Sequence, residues 1–107
     1  MKNICAIIPE KKLEAVNTAL HEIGVEGLTI FDTKGRGKDF RKPNQMGNLF
    51  YSSEFGENNT IMILASDADV NKIVDVIQAN AGIGKIFVTN IEELIDIRKN
   101  TRGEESL

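Results

Sequence analysis

Apolar residues form two tandem sets along this chain, and each set contains a short apolar run, a helical stripe and a second short run. In the first set, residues 3–8 and 27–34 are short and β-prone, which predicts two strands. Pro9 suits the start of a helix and Gly24 suits its end. Between them the apolar positions recur at spacings of three and four, which predicts one helix from Lys11. These positions are Leu13, Val16, Leu20 and Ile23.

The second set repeats this order. Residues 60–65 (TIMILA) and 84–90 (GKIFVTN) predict two further strands. Ser66 followed by Asp69 resembles a capping box with Asp in place of Glu or Gln, so we expect a helix to start there and to end near residues 80–82. Its apolar stripe consists of Val70, Ile73, Val74 and Ile77.

The remaining segments carry weaker signals. Residues 91–94 predict one helical turn, residues 95–98 a short final strand, and residues 101–107 a loose charged tail. From residue 35 to about residue 59 the chain shows no sustained period and is rich in glycine, asparagine and cations. Long loops without a period are uncommon inside compact domains and are usually functional or disordered, so we interpret this one as functional.

Two β-α-β units in tandem predict an α+β fold of the ferredoxin-like class, with an antiparallel four-stranded sheet and both helices on one face. The second face of such a sheet should be polar if water covers it. Apolar residues instead alternate onto both faces of the predicted strands, for example Ile4, Ala6 and Ile8 against Cys5 and Ile7. We therefore expect the second face to be buried in a homo-oligomer.

Composition indicates a single domain, residues 1–107, with 41% hydrophobic and 27% charged residues. The net charge of −3 disfavours nucleic acid as a partner, although cations cluster between residues 34 and 42. No apolar run approaches the roughly 18 residues of a membrane span, and the first residues lack the apolar core of a signal peptide. A lone Cys5 excludes an intrachain disulfide and offers no structural zinc site. We expect a cytoplasmic protein that is not embedded in a membrane.

Two segments alternate glycine with cations and are candidates for an anion site: residues 35–38 (GRGK) and residues 82–85 (GIGK). Glycine lets backbone N–H groups approach a ligand, and nearby cations such as Arg98 add positive charge for a polyphosphate. The segments occupy different places in their β-α-β units, so they need not share a site within one subunit but could meet across a subunit boundary. Tight turns with solvated cations are the alternative, and short glycine motifs alone leave it open.

Catalytic chemistry finds little support in the sequence. His21 lies opposite the apolar stripe of its helix and has no nucleophile motif near it, so a surface histidine is expected. Cys5 is expected to be a small core or interface residue. The carboxylate pairs at residues 92–93 and 104–105 are typical of a solvated surface, and no metal-ligand spacing occurs. We predict no catalytic residues, no metal site and no enzyme.

Five segments, in order, resemble the PII nitrogen-regulatory signalling family. They are residues 1–8 (MKNICAII), 24–29 (GVEGLT), 34–38 (KGRGK), 84–88 (GKIFV) and 95–98 (IDIR), the last followed by RGEE at 102–105. Each segment alone is weak evidence for the family, but five segments in this order, spanning nearly the whole chain, are specific to it. The resemblance implies a ferredoxin-like homotrimer with an adenine nucleotide (ATP, ADP or AMP) in the clefts between subunits.

The resemblance also implies roles by position. Around the base and ribose it places Ile7, Gly27, Thr29 and Leu64. Gly35, Gly37 and Lys38 would approach from one subunit, and the phosphates would meet Gly82, Gly84, Lys85 and Arg98. A long T-loop, about residues 37–55, would dock onto a target transporter, enzyme or regulator, with Arg41, Lys42 and Tyr51 as contact or modification residues.

The chain departs from the family pattern at several of these positions. Lys38 replaces an arginine, and Asp39 replaces the glutamine that the family uses for magnesium and 2-oxoglutarate. A family lysine for 2-oxoglutarate falls at about Asn58, so ordinary 2-oxoglutarate sensing is not expected. The B-loop, about residues 80–85, is shortened, and Ile83 replaces its aspartate. Asp96 replaces the first of two C-terminal arginines, which suggests a preference for ADP or AMP over ATP.

The resulting hypothesis is a trimeric regulator that binds an adenine nucleotide and signals through residues 37–55, in nitrogen or carbon metabolism. One alternative is a trimeric adaptor of the same fold that binds no nucleotide. Another is a small nucleic-acid binder that uses residues 34–42, which the net charge and the absence of interleaved aromatic residues disfavour.

Overall fold

The computed structural model describes residues 1–36 and 56–107. Its main sheet contains four antiparallel strands in the order β2-β3-β1-β4. The strands are β1 (Lys2–Pro9), β2 (Thr29–Gly35), β3 (Gly56–Ala65) and β4 (Lys85–Asn90). Each β-α-β unit therefore places a strand of the other unit between its own two strands, which is the ferredoxin-like arrangement predicted from the two tandem sets.

Two helices cover one face of this sheet. They are α1 (Leu13–Glu22) and α2 (Val70–Ala81), and each follows a single 3-10 turn, Glu10–Lys12 or Asp67–Asp69. Val16 and Leu20 of α1 pack with Ile73 and Ile77 of α2 in one buried cluster. The helical stripes predicted from the apolar spacing are thus confirmed, although α1 begins two residues after Lys11.

The strand residues that face the helices complete this core. Register pairs Ile4 with Ile63 and Ala6 with Ile61 on the two central strands, and all four side chains are buried. Leu20 and these strand residues exclude water from the space between sheet and helices. Burial of this apolar surface is the main stabilising term for a chain of this size.

The opposite face of the sheet is also apolar. On β1, β3 and the two edge strands this open face carries Cys5, Ile7, Met62, Leu64, Phe31 and Phe87, as the register shows. Phe31 and Phe87 are each 48% exposed and Leu64 is 41% exposed. Cys5 is buried and Ile7 and Met62 are half-buried, so the exposed apolar surface of this face is contributed mainly by the other three side chains.

Strand β3 begins at Gly56, four residues before the predicted start, so the predicted loop up to residue 59 is wrong at that end. Residues 56–59 pair with the second half of β2. The Thr33 hydroxyl donates to the backbone carbonyl of Asn58 (3.3 Å), and the Asn59 side chain donates to Asp32 Oδ1 (2.8 Å). Such cross-strand bonds outweigh the poor strand propensity of glycine and asparagine.

The end of the chain is more ordered than its sequence predicts. Residues 91–94 form no helical turn, because the Ile91 N–H donates to the carbonyl of Met1 (3.0 Å) and continues the extended chain. Strand β5 (Ile95–Asp96) pairs with β6 (Thr101–Arg102), and a 3-10 helix (Gly103–Ser106) follows. The predicted loose tail is therefore wrong, since a hairpin organises it.

The predicted capping box before α2 is also wrong. The Ser66 hydroxyl donates to the Asp69 carboxylate (3.1 Å) and caps no backbone N–H. The Asp69 N–H bonds to the Ser66 carbonyl instead (3.1 Å), which closes a 3-10 turn ahead of the helix.

Within the described ranges, no helix is both long and apolar enough to cross a membrane.

The chain terminus is fixed to this same turn. The Met1 ammonium group donates to Asp67 Oδ1 (2.9 Å), and Lys2 Nζ lies 3.9 Å from that oxygen. The hydrogen bond from the ammonium group, together with the charge of Lys2, lowers the pKa of Asp67 below its usual value. Asp67 thereby links the first strand to the start of α2.

We predict that Asp67→Asn slightly lowers the free energy of unfolding at neutral pH, because the folded state loses the charge that its ammonium partner stabilises. The lowered pKa means that this stabilisation is complete above the usual carboxyl pKa of about 3.9 and is lost as the pH falls through the lower folded-state value. Urea unfolding at several pH values measures the difference in free energy of unfolding between Asp67→Asn and the wild-type protein. Asp75→Asn, at another carboxyl on α2, is the control; an equal effect of both variants would contradict the role of Asp67.

Candidate functional site

The loop between α2 and β4 packs its backbone directly against β1. A Cβ atom at Gly84 would lie 2.2 Å from the carbonyl oxygen of Ile7, and Gly84 has a φ of +132°, which L side chains rarely adopt. Gly82 ends α2 in the left-handed conformation, with its N–H bonded to the Gln78 carbonyl (3.2 Å). The two glycines of the GIGK segment are therefore required by the backbone path itself.

This loop offers donors for an anion. The N–H groups of Ile83 and Gly84 donate to no group within the described part of the chain. Lys85 follows at once and opens β4, where it lies opposite Ile7 on the open face. Neighbouring unpaired N–H groups beside a lysine match the donor set of a phosphate cradle.

A cavity of about 380 Å³ adjoins the same loop, between α2 and the edge strand β4. Its floor consists of Ile8, Ile77 and Ile86, and Gln78 supplies a polar side chain. Its volume lies within the range of small-molecule sites. The GIGK segment thus borders both this cavity and the open face.

The residues expected around a base lie on the open face and its β2 edge. Ile7 lies on β1, and Leu64 lies opposite Asn3, farther along the same face. Thr29 pairs with Met62 at the start of β2. Gly27 precedes β2, and a Cβ there would meet nothing within 4 Å, so the subunit alone gives no reason for glycine at this position.

The first glycine-cation segment starts at the other edge of the sheet. Gly35 is the last residue of β2 and lies opposite Gly56, whereas Lys85 lies on β4. Three strand spacings separate these edges, about 14 Å in all. The structure therefore does not bring Gly35 and Lys85 together within one subunit.

Arg98 lies apart from both segments along the chain. Strand β4 runs from Lys85 to Asn90, about 17 Å for five residue steps, before the chain enters the β5–β6 hairpin. Arg98 is exposed in the turn of that hairpin, eight residues after the end of β4. The three predicted cationic groups thus belong to three different elements: the end of β2, the start of β4 and the β5–β6 turn.

Five of the predicted residues lie outside the described ranges. They are Gly37 and Lys38 of the predicted phosphate set, and Arg41, Lys42 and Tyr51 of the predicted T-loop. Asp39 lies there as well, whereas Asn58 lies in β3.

Negative charge surrounds the helix-side end of the β2–β3 pair. Glu10 hydrogen-bonds to the Glu57 side chain; this bond and the charges of Glu57 and Asp32 raise the pKa of Glu10. Lys34 pairs in register with Glu57, and the buried Oδ1 of Asn59 has no partner within the described ranges. An anionic ligand is therefore disfavoured at this end of the β2–β3 pair, on the side that faces the helices.

The two side chains considered individually for catalysis lie in different parts of the subunit. Cys5 is buried, with its Sγ 3.5 Å from Asn3 Oδ1, and His21 is exposed near the end of α1. In residues 1–36 and 56–107, no three acidic, histidine or cysteine side chains converge in a group that could hold a metal.

Sequence reasoning missed two features near the candidate site. The contact between Gly84 and the Ile7 carbonyl is tertiary and leaves no local signal. Asp96 accepts the N–H of Lys99 (3.0 Å) and thereby closes the turn that carries Arg98. An aspartate three residues before a lysine–asparagine pair is a turn signal that could have revealed this hairpin.

Comparison with known proteins gives a consistent match. Residues 1–101 match the family model described as nitrogen regulatory protein P-II. The chain is 35% identical to the nitrogen regulatory protein P-II of Azospirillum brasilense and 38% identical to that of Rhodospirillum rubrum, in each case with all of both chains covered. It is 32% identical to nitrogen regulatory protein P-II 2 of Methanothermobacter thermautotrophicus, over all of this chain and 97% of the relative.

We predict that Gly84→Ala lowers the free energy of unfolding by about 3 kcal/mol or more, since it combines a backbone clash with an unfavourable φ. Gly27→Ala is the matched control and should change the free energy by less than about 0.5 kcal/mol. Urea unfolding at equal protein concentrations compares the two. Equal stabilities would show that the loop can move away from Ile7 at little cost.

Proposed function

Because this chain belongs to the nitrogen regulatory protein P-II family, we propose that it forms a homotrimer, binds an adenine nucleotide in the clefts between subunits and regulates a target protein through residues 37–55. The observation that carries this proposal is the GIGK loop. It presents two unpaired N–H groups and Lys85 at the edge of an uncovered apolar face.

Assembly is supported by the open face. Phe31, Leu64 and Phe87 are each more than 40% exposed on the same face of one sheet, and an exposed apolar face of this kind marks an interaction surface. In a closed three-fold ring each subunit offers the same two patches to its two neighbours, so packing of the open face against adjacent copies would bury these side chains. The cleft between neighbouring subunits would then be lined by apolar strand residues.

The candidate residues lie on different elements, so we assign the base and the phosphates of the nucleotide to different groups of residues. The base would pack on Ile7 and Leu64, near Thr29 and Gly27, which the subunit leaves accessible. The phosphates would meet the N–H groups of the GIGK loop together with Lys85. Arg98, which belongs to the separate β5–β6 hairpin, would approach those phosphates from a neighbouring subunit.

Regulation would operate by population shift. A nucleotide or a second effector would bind some conformers of residues 37–55 more tightly than others and would increase the population of those conformers. The target protein would bind one conformer better than another. Strand β2 precedes that segment and strand β3 follows it. A ligand on the open face would therefore lie next to the two ends of the segment. The chain would thus act as a cytoplasmic regulator of a transporter, enzyme or regulatory protein and not as an enzyme.

The preferred nucleotide would depend on how many side chains can donate hydrogen bonds to its phosphates. The B-loop is shortened, with Ile83 in place of its aspartate, and Asp96 stands where the family pattern has an arginine; fewer phosphate donors favour ADP or AMP over ATP. With Asp39 and Asn58 in place of the family's residues, magnesium and 2-oxoglutarate would not act together here in the usual way.

A trimeric adaptor without nucleotide is the second candidate. The open face supports it, because burial of apolar surface explains assembly without any ligand. Titration calorimetry with ATP, ADP and AMP at millimolar concentration separates the two proposals. Heat from at least one nucleotide supports the regulator, and no heat from any of them supports the adaptor.

We predict that Lys85→Ala weakens binding of ADP by about tenfold while the oligomer persists, because one charge-assisted phosphate contact is lost. Lys72→Ala on the outer surface of α2 removes the same charge and should leave the affinity unchanged. Calorimetry gives the affinities and sedimentation gives the mass. Unchanged affinity in Lys85→Ala would remove this lysine from the site.

We predict that Phe87→Asp dissociates the oligomer, because it places a charge on the apolar face that assembly would bury. Ala15→Asp, on the exposed surface of α1, introduces the same charge and should leave the mass unchanged. Sedimentation velocity at micromolar concentration compares the variants. A wild-type protein that sediments as a monomer would contradict assembly through the open face.

A further inference from the structure

The turn between β5 and β6 depends on one carboxylate. Asp96 Oδ1 accepts the backbone N–H of Lys99 at 3.0 Å, and Asn100 closes the turn with a φ of 53°. An aspartate that bonds ahead along its own chain is a common way to fix such a turn. Arg98 lies inside the turn that this bond closes.

Contacts outside the turn stabilise the two strands of the hairpin. The Gly103 N–H donates to the Leu94 carbonyl (2.8 Å), and the hydroxyls of Thr101 and Ser106 share a hydrogen bond (2.8 Å). An ion pair joins Arg102 to Glu93. These bonds fix the strands, so the Asp96 bond is what remains to fix the conformation around Arg98.

The same carboxylate brings a negative charge to this turn. Asp96 is partly buried and precedes Arg98 by two residues, while Ile97 between them is 93% exposed. A carboxylate within about one Debye length, roughly 8 Å, of a phosphate chain repels it, and the repulsion grows with each added phosphate charge. Asp96 therefore has two separable effects, one through its oxygen and one through its charge.

We propose that Asp96 is a positioning and specificity-determining residue of the nucleotide site. Its Oδ1 holds the turn so that Arg98 is presented to the phosphates, and its charge selects against nucleotides with more phosphates. This inference rests on the proposed function, in which Arg98 meets the phosphates from a neighbouring subunit.

Two substitutions separate these effects. Asp96→Asn keeps an acceptor oxygen for the Lys99 N–H and removes the charge, whereas Asp96→Ala removes both. Titration calorimetry of the full-length protein with AMP, ADP and ATP, at low and at high salt, gives six affinities for each variant. Sedimentation confirms that both variants keep the mass of the wild-type oligomer.

Asp96→Asn should tighten ATP by about three- to fivefold and AMP by less than about twofold, and high salt should reduce the difference. Asp96→Ala should bind every nucleotide about three- to tenfold more weakly than Asp96→Asn, because Arg98 must then be ordered during binding. Equal affinities in the two variants would overturn the positioning role. An unchanged ratio of ATP to AMP affinity in Asp96→Asn would overturn the selective role.

Failure of this inference and failure of the proposed function have different signatures. If the wild-type protein binds none of the three nucleotides, the proposed function fails and this inference fails with it. If Lys85→Ala weakens binding but Arg98→Ala does not, the nucleotide site stands and only the role of the Asp96 turn is overturned.

Discussion

The structure depends on a sheet that is apolar on both faces but receives helices on only one. Helices α1 and α2 bury the side of β1 that carries Ile4, Ala6 and Ile8, and this packing defines the subunit. The other side carries Cys5, Ile7 and its neighbours and has no covering layer within the described chain. Because exposed apolar surface of this extent is unfavourable in water, the subunit is suited to association with further copies.

The same constraint explains how the candidate site is arranged. The GIGK loop adjoins one edge of the open face, Gly35 lies at the other edge, and Arg98 lies in the β5–β6 turn. Gly35 and Lys85 are too far apart within one subunit to hold a single phosphate chain. In the proposed site a ligand contacts groups from two subunits, so assembly and ligand binding would be coupled.

The fold could be predicted from sequence wherever periodicity was strong. The stripes through Val16 and Ile73, and the alternation along β1, specified the helices, the sheet and its second apolar face. Local rules failed where tertiary contacts decide the outcome. Asn58 and Asn59 are poor strand formers held by cross-strand bonds, and the β5–β6 hairpin is held by contacts between residues distant in sequence, such as the bond from the Gly103 N–H to the Leu94 carbonyl.

The glycine-cation segments of the candidate site were visible in the sequence, but the reason for them was not. Gly84 is needed because the carbonyl of Ile7 lies where its Cβ would be, and only the folded chain shows that contact. The spatial separation of Gly35, Lys85 and Arg98 likewise follows from strand order. Family membership supplies the regulatory role, and the geometry adds that Gly35 and Lys85 lie at opposite edges of the sheet within one subunit.

Sharing of the site between subunits is tested most directly by mixed oligomers. Lys85→Ala and Arg98→Ala subunits are unfolded together and refolded as a mixture, and ADP binding is measured by calorimetry against each variant alone. If Lys85 and Arg98 come from different subunits, random mixing restores about a quarter of the sites to wild-type affinity. If the mixture binds no better than the two variants alone, both residues act within one subunit and the shared site is contradicted.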